Sequence, residues 1–333
     1  MEEEEVIFRN LQQTKGGTFL VSLPKSWIEK HNLEKKRTVI VKELSEGLLI
    51  YPKDWKEPKR EITLTESERV TRDILQAYLS GYHIIRIRAA NEFLKFKEQV
   101  KDHGRGLVGL EVLEETASDI EWHFLIDSPA SLDASKYLRR CFSLASGMIE
   151  DSIKAYIKKD TELAREVRNR DTEVNRLYFL LVRILRERLN EIAPSSDLTP
   201  SRASDHRIVA AFAEELGDRA VRIAEATISG RYLELESLER DIKEIIEKCN
   251  ERLEKALEAY LNNDLDAGEQ IKGETIEQEI GRQRGLEEKI TGLMTKFLPE
   301  LILIPRLIAR LNEVIIDITD LIIERDDHYK EEL

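Results

Sequence analysis

The sequence predicts a multidomain, mainly α chain: a small β module, a small α/β middle segment, and a helical body filling the C-terminal three-fifths. Three observations predict it. The hydrophobic period changes twice along the 333 residues, near residues 54 and 130, from short β-rich runs to an alternating β/α pattern to sustained three-four spacing. The helical part repeats itself. Charge is partitioned: residues 6–53 hold nine basic against four acidic side chains, a local +5 in a chain of net charge −13. A basic module on an acidic body points to one end meeting a polyanion.

The first segment, taken as residues 1–53, reads as short strands around one helix. Val6–Leu11 and Thr18–Leu23 flank Gly16-Gly17, which supplies the positive φ of a hairpin turn. Pro24 suits a first helical position before Lys25–His31, and Arg37–Leu44 and Leu48–Tyr51 read as further strands. So few residues bury little alone, so a homodimer is expected. The second segment, residues 60–127, reads β-α-β-α-β-β: strand Glu61–Leu64, helix Glu66–Leu79 capped by Thr65, strand Tyr82–Ala89, helix Glu92–Asp102, strands Leu107–Leu113 and Ile120–Ile126. It holds a Gly104-x-Gly106-x-x-Gly109 match, but a helix precedes it and a strand follows. Phosphate cradling needs the reverse order, so no dinucleotide site is expected.

The third segment, from Leu132 on, divides into two sets of three helices, residues 132–230 and 231–333. Arg207–Glu225 laid over Arg306–Glu324 at an offset of 99 gives six identities in nineteen, among them Glu214/Glu313 and Asp218/Asp317. Upstream, Ala155-Tyr-Ile-Lys-Lys-Asp160 matches Ala259-Tyr-Leu-Asn-Asn-Asp264 at an offset of 104. This is a duplicated three-helix unit. Glu214 and Asp218 project from one helical face, as do Glu313 and Asp317. Paired carboxylates with a third from a facing helix, for which Asp171 is the candidate, suit hard ions. The expected cofactor is a divalent or ferric ion of the Mg, Mn, Ca or Fe class. Carboxylates four apart also recur by chance in so acidic a chain; the matched repetition gives these their weight.

Ala213-Glu-Glu-Leu-Gly-Asp-Arg-Ala-Val-Arg-Ile-Ala-Glu225 resembles the third-helix signature of the PhoU family, and Arg170-Asp-Thr-Glu-Val-Asn-Arg-Leu177 its second-helix motif. The resemblance implies two packed three-helix bundles, metal held by residues matching Asp171, Glu214, Asp218, Glu313 and Asp317, and a role in phosphate homeostasis. The second repeat departs from it: Ile316 replaces Gly217, and the acids nearest the place of Asp171 are Glu274 and Glu277. In the first segment, Gln12-Gln-Thr-Lys-Gly-Gly-Thr-Phe-Leu-Val-Ser-Leu-Pro-Lys-Ser-Trp27 is similar to the AbrB/MazE/SpoVT swapped-hairpin fold. That implies a dimeric N-terminal β-barrel binding double-stranded DNA through Arg9, Thr14, Lys15, Lys25 and Lys30. The combination resembles archaeal PhoU-type regulators. No motif assigns a role to the middle segment.

An enzyme is not expected. The six histidines share no metal-ligand or general-base spacing, and there is no phosphate-binding P-loop, nucleophile elbow or zinc-protease motif. Trp27, Trp55 and Trp122 read as packing residues. Cys141 and Cys249 are too few and too far apart for a disulfide framework. Met1-Glu-Glu-Glu-Glu5 is unlike a signal peptide, and no apolar run is long enough to cross a membrane, so a cytoplasmic chain is expected. The function expected is a DNA-binding transcriptional regulator of phosphate uptake. The alternative is an adaptor that docks a phosphate-transport or signalling protein and uses its barrel to dimerise.

Overall fold

A computed structural model describes residues 7–44, 47–53, 59–65, 67–88, 93–126, 132–189, 198–231, 234–293 and 302–322. Expectations falling on Val6, Trp55, Glu66, Glu324 and His328 lie outside the described residues. The chain divides into two compact units, Met1–Pro58 and Lys59–Leu333.

In the first unit β1 (Gln12–Gln13) and β2 (Phe19–Leu20) form a two-residue antiparallel ladder. The turn between them closes through Gly17, at φ 87°, whose N–H donates to the Thr14 carbonyl at 3.0 Å. The ladder is shorter than the alternating pattern predicts: among the described residues, pairing in this hairpin covers Gln12–Gln13 and Phe19–Leu20, extended towards the turn by the Thr14 N–H donating to the Thr18 carbonyl at 2.8 Å. Helices α1 (Lys25–Lys30) and α2 (Leu33–Lys36) follow, broken by Asn32 at φ 52°. A second hairpin pairs β3 (Val39–Leu44) with β4 (Gly47–Pro52). Leu33 is the sole buried residue among the described residues of this unit.

The second unit opens with a four-stranded sheet of β5 (Glu61–Thr65), β6 (Ile84–Arg88), β7 (Leu110–Glu115) and β8 (Asp119–Phe124), ordered β5-β6-β8-β7. β5 and β6 run parallel, joined by α3 (Val70–Leu79), and the other pairings are antiparallel. With α4 (Phe93–Arg105) between β6 and β7, the predicted β-α-β-α-β-β order holds. Ile85, Ile87, Ile120, Trp122 and Phe124 pack with Ile74 and Tyr78 of α3 and Val100 of α4 in one core. α3 starts at Val70, later than expected, without the Thr65 cap; the Ser67 hydroxyl accepts the Arg69 N–H at 3.2 Å and holds a turn instead. The glycine motif is a packing device: a Cβ on Gly104 would meet Trp122 Nε1 at 2.7 Å, and one on Gly109, at φ 82°, would meet Phe124 at 2.8 Å.

The helical body forms two sets of three. The first is α5 (Ala134–Lys158), α6 (Thr161–Leu189) and α7 (Pro200–Ile228). The second is α8 (Glu239–Asn262), a long helix made of α9 (Leu265–Glu274), a π segment (Thr275–Glu279) and α10 (Ile280–Leu293), and α11 (Leu303–Asp320). The duplication is visible in matched corners. Lys159 and Asn263 end α5 and α8 in the left-handed region at φ 57° and 56°. Asp160 and Asp264 then cap the next helix, each accepting a backbone N–H at 3.0 Å, from Leu163 and Ala267. A continuous apolar core runs through both sets, from Met148, Val174 and Leu216 to Leu253, Ile290 and Ile315.

Arg183 of α6 joins the sheet domain to this body. It is fully buried, and its Nη1 donates to the carbonyls of Tyr78 (2.7 Å) and Tyr82 (3.0 Å) at the end of α3. Its guanidinium lies 3.7 Å from the centre of the Phe124 ring, and Glu187 stands 3.0 Å away. A cation at a helix C-terminus meets carbonyls left without helical partners.

Candidate functional site

The predicted DNA-contact residues all lie on the small first unit. Arg9, Lys15, Lys25 and Lys30 are exposed, with Lys15 in the hairpin turn. Lys25 opens α1 and pairs with Glu29 at 3.3 Å on an exposed face, an interaction of little energetic weight. The Thr14 hydroxyl accepts the Thr18 N–H at 3.2 Å, so it shapes the turn. Around these cations the unit exposes large apolar side chains: Phe8 at 89%, Leu11 at 67% and Leu48 at 64%, with Phe19 and Val41 over half exposed. A groove of about 570 Å³ is lined by Leu23, Ile28, Leu33, Glu34, Arg37 and Val39.

In the first helical repeat Asp171 of α6 faces Glu214 and Asp218 of α7. Asp171 Oδ2 accepts from Asn175 Nδ2 at 2.8 Å, while its Oδ1 is buried without a hydrogen-bond partner. Burial, and next the charge of Asp218, push the Asp171 carboxyl above the usual range. Burial also raises Glu214, with Asp218, Asp171 and Glu215 adding repulsion. Among the described residues no basic side chain pairs with Glu214 or Asp218. Gly217, between them in sequence, faces α6 at ordinary packing distance: a Cβ there would lie 3.6 Å from Val174 and 3.9 Å from Asp171 Oδ1. Among the described residues no group of three or more His, Cys, Asp and Glu side chains is placed to hold an ion as it stands.

The second repeat places its acids differently. Glu313 and Asp317 both accept from Arg310 Nη1, at 3.1 and 3.2 Å. The same guanidinium reaches back to Glu215 of α7 through Nη2 at 2.9 Å and Nε at 3.1 Å. Arg219 also holds Glu215, at 2.7 Å. These two cations hold the Glu215 carboxyl below its ordinary range although burial opposes them. At the offset of 104, Thr275 stands where Asp171 stands, and its hydroxyl donates to the Ile271 carbonyl at 2.7 Å. Glu274 is engaged by Gln270, at 2.9 Å, and Glu277 is exposed, so neither takes the place of Asp171. The buried acid is Glu279, fully enclosed at the end of the π segment, 2.9 Å from Arg252 and 3.2 Å from Arg282.

Sequence reasoning missed Arg310, Arg183 and Glu279. The first two had a signal: Arg310 stands opposite Ala211 in the offset-99 alignment, and Arg183 interrupts the aliphatic run Leu180–Leu185. Glu279 had none, since only the π segment turns it inward.

Residues 138–227 match the family model of the PhoU domain, which covers most of α5 to α7. Residues 12–56 match that of the antidote-toxin recognition MazE, bacterial antitoxin. No curated protein matches the chain. Among solved structures, the crystal structure of PhoU from Pseudomonas aeruginosa overlays 57% of this chain and 93% of its own, at 18% identity and a TM-score of 0.43. No helix among the described residues is long and apolar enough to cross a membrane. The chain thus carries, in order, a segment that matches the MazE model, residues 12–56, and one that matches the PhoU domain model, residues 138–227.

Proposed function

We propose that this protein is a homodimeric, DNA-binding transcriptional regulator of phosphate homeostasis, with an ion-binding helical body. The observation that carries the reading is the state of the first unit. Its residues 6–53 carry a net +5, and the unit buries Leu33 alone among its described residues and leaves Phe8, Leu11, Phe19 and Leu48 in solvent. Apolar surface of that extent calls for a partner, and a second copy of the same hairpins supplies matching apolar arms. Pairing doubles every cation, so Arg9, Lys15, Lys25 and Lys30 face double-stranded DNA twice. The PhoU match supports phosphate homeostasis as the setting, and neither matched model is that of an enzyme family.

The residues of the first repeat fit a bound hard cation by their chemistry. Asp171, Glu214 and Asp218 offer oxygen donors only, no arginine or lysine neutralises Glu214 or Asp218 among the described residues, and Asp171 Oδ1 is left without a donor. A divalent or ferric ion there neutralises three mutually repelling carboxylates and ties α6 to α7. Drawing them onto one ion requires side-chain rotation.

The test is DNA binding by the full chain at graded salt. The slope of log affinity against log salt should fall by about 0.9 for each phosphate that is no longer neutralised, and twice that when both copies change. Lys15→Glu/Lys25→Glu should therefore weaken binding and flatten the slope. Absence of salt-dependent DNA binding, with dimerisation intact, would establish the adaptor reading instead: a body that docks a transport or signalling protein.

A further inference from the structure

We infer that Arg310 is a built-in cation that takes the place of a bound ion in the second repeat, so that ion loading is confined to the first. Three carboxylates converge on this one guanidinium: Glu215 from α7, and Glu313 and Asp317 from its own helix α11. All three lie within 2.9–3.2 Å of its nitrogens. Its side chain is only 19% exposed, and the guanidinium carbon lies 5.5 Å from the centre of the Phe212 ring. Oxygens gathered from two helices around a partly buried positive charge is the arrangement a hard cation takes. Here the charge is covalently supplied.

The alignment of the repeats shows how this arises. Glu313 and Asp317 keep the positions of Glu214 and Asp218, but Ala211 of the first repeat becomes Arg310 in the second. The third carboxylate also differs. Asp171 of the facing helix has no acidic counterpart, since Thr275 stands there, and Glu215 of the neighbouring repeat replaces it. A guanidinium tethered to the helix meets its carboxylates without the association entropy that a diffusing ion gives up. Its planar fork matches carboxylate geometry with several directed hydrogen bonds. The second carboxylate set therefore does not fit a resident metal. It fits a fixed arginine that also clasps one repeat to the other through Glu215.

This rests on the reading that Asp171, Glu214 and Asp218 take an ion, and the experiment separates the two. The full chain is titrated with Mn²⁺, and bound metal is read by elemental analysis after desalting, with thermal shift as a second readout. Wild type is compared with Glu214→Gln/Asp218→Asn, Glu313→Gln/Asp317→Asn, Arg310→Ala and Arg310→Lys. The expected result is uptake lost in the first variant and unchanged in the second. Arg310→Ala should bind more Mn²⁺ than wild type, and adding Glu313→Gln/Asp317→Asn should remove the gain. Arg310→Lys, which keeps the charge, should show none. Arg310→Gln serves if the alanine variant does not fold. Wild-type uptake that falls in Glu313→Gln/Asp317→Asn would overturn the inference and leave the first-repeat ion standing. So would an Arg310→Ala protein that is folded and gains nothing. Wild type without uptake would instead sink the first-repeat reading, and Arg310 would then be judged by whether its removal alone creates uptake.

Discussion

The two helical repeats handle the same problem, acidic side chains packed at a helix–helix contact, in opposite ways. In the first, Asp171, Glu214 and Asp218 lie together with no basic partner on the latter two among the described residues, and burial and mutual repulsion raise Asp171 and Glu214. In the second, the partly exposed Glu313 and Asp317 have Arg310, and the buried Glu279 has Arg252 and Arg282. One repeat is therefore electrostatically incomplete and the other closed within the chain. A duplicated scaffold can keep its corners, caps and apolar core while one copy retains an open charge site and the other converts the same positions into internal structure.

The largest effect should come from breaking a closed pair in the second repeat. Glu279 is fully buried, and Arg252 Nη1 lies 2.9 Å from it without pointing a hydrogen at it; Glu279 Oε2 has no hydrogen bond. Arg252→Met removes one of its two cations, and loss of one partner of a buried pair costs about 3–5 kcal/mol. The remaining Arg282 places the expected loss near the lower end of that range. Replacing both, as Arg252→Met/Glu279→Leu, should restore most of the stability, because two apolar side chains carry no uncompensated charge. Chemical denaturation of the two variants and wild type measures this. If the double variant is no more stable than the single, the pair is not held by charge.

How much of this was legible in the sequence follows from the range of the interactions. The helices α5 to α7 and the α/β order were readable because three-four and two-residue periods are local. The duplication was readable because corners such as Lys159-Asp160 and Asn263-Asp264 depend on a few adjacent residues. The first hairpin was overread: Val6–Leu11 has the strand pattern, but among the described residues the strand pairing there is Gln12–Gln13 with Phe19–Leu20. The carboxylate pairs were readable as spacings, yet spacing does not say what neutralises them. That depends on Arg310 reaching across to α7, and on a π segment that turns Glu279 inward, both set by tertiary packing.

A smaller effect tests the glycine that separates the repeats. A Cβ at Gly217 would make ordinary contacts, 3.6 Å to Val174, 3.8 Å to Met148 and 3.9 Å to Asp171. Gly217→Ala should therefore gain about 0.5–1 kcal/mol of helix propensity and leave metal uptake unchanged. Gly217→Ile, which imports the Ile316 of the second repeat, overfills the contact between α6 and α7 and should destabilise. Thermal melts of both variants, with and without Mn²⁺, sharpen the comparison: an alanine variant that loses stability would mean the helices need the full glycine gap.

The smallest effect is the most diagnostic of the open site. A carboxyl whose folded pKa is raised lets the folded state hold its proton longer than the unfolded chain does. Its contribution to stability is complete below the ordinary carboxylate range and is lost as pH rises through the raised value. Asp171 is such a group, raised by burial and by Asp218. Asp171→Asn removes that titration and keeps a side-chain oxygen to accept from Asn175. The ion-free variant should exceed wild type at pH 8 by about a few tenths of a kcal/mol, the scale of a neighbouring like-charge pair. The advantage should disappear near pH 3, where the wild-type carboxyl is protonated in both states. Saturating Mn²⁺ should reverse the order at pH 8, because wild type is stabilised by the ion and the variant much less. The same change at a closed position behaves otherwise: Glu215→Gln removes a carboxyl lowered by Arg310 and Arg219, so it should cost stability at pH 8, with no recovery from Mn²⁺, and the gap should close as pH falls. Melting temperatures of the three proteins across pH 3 to 8 decide the matter. An Asp171→Asn protein that melts below wild type at pH 8 without metal would show that the charge at Asp171 is structural and that the first repeat is closed as well.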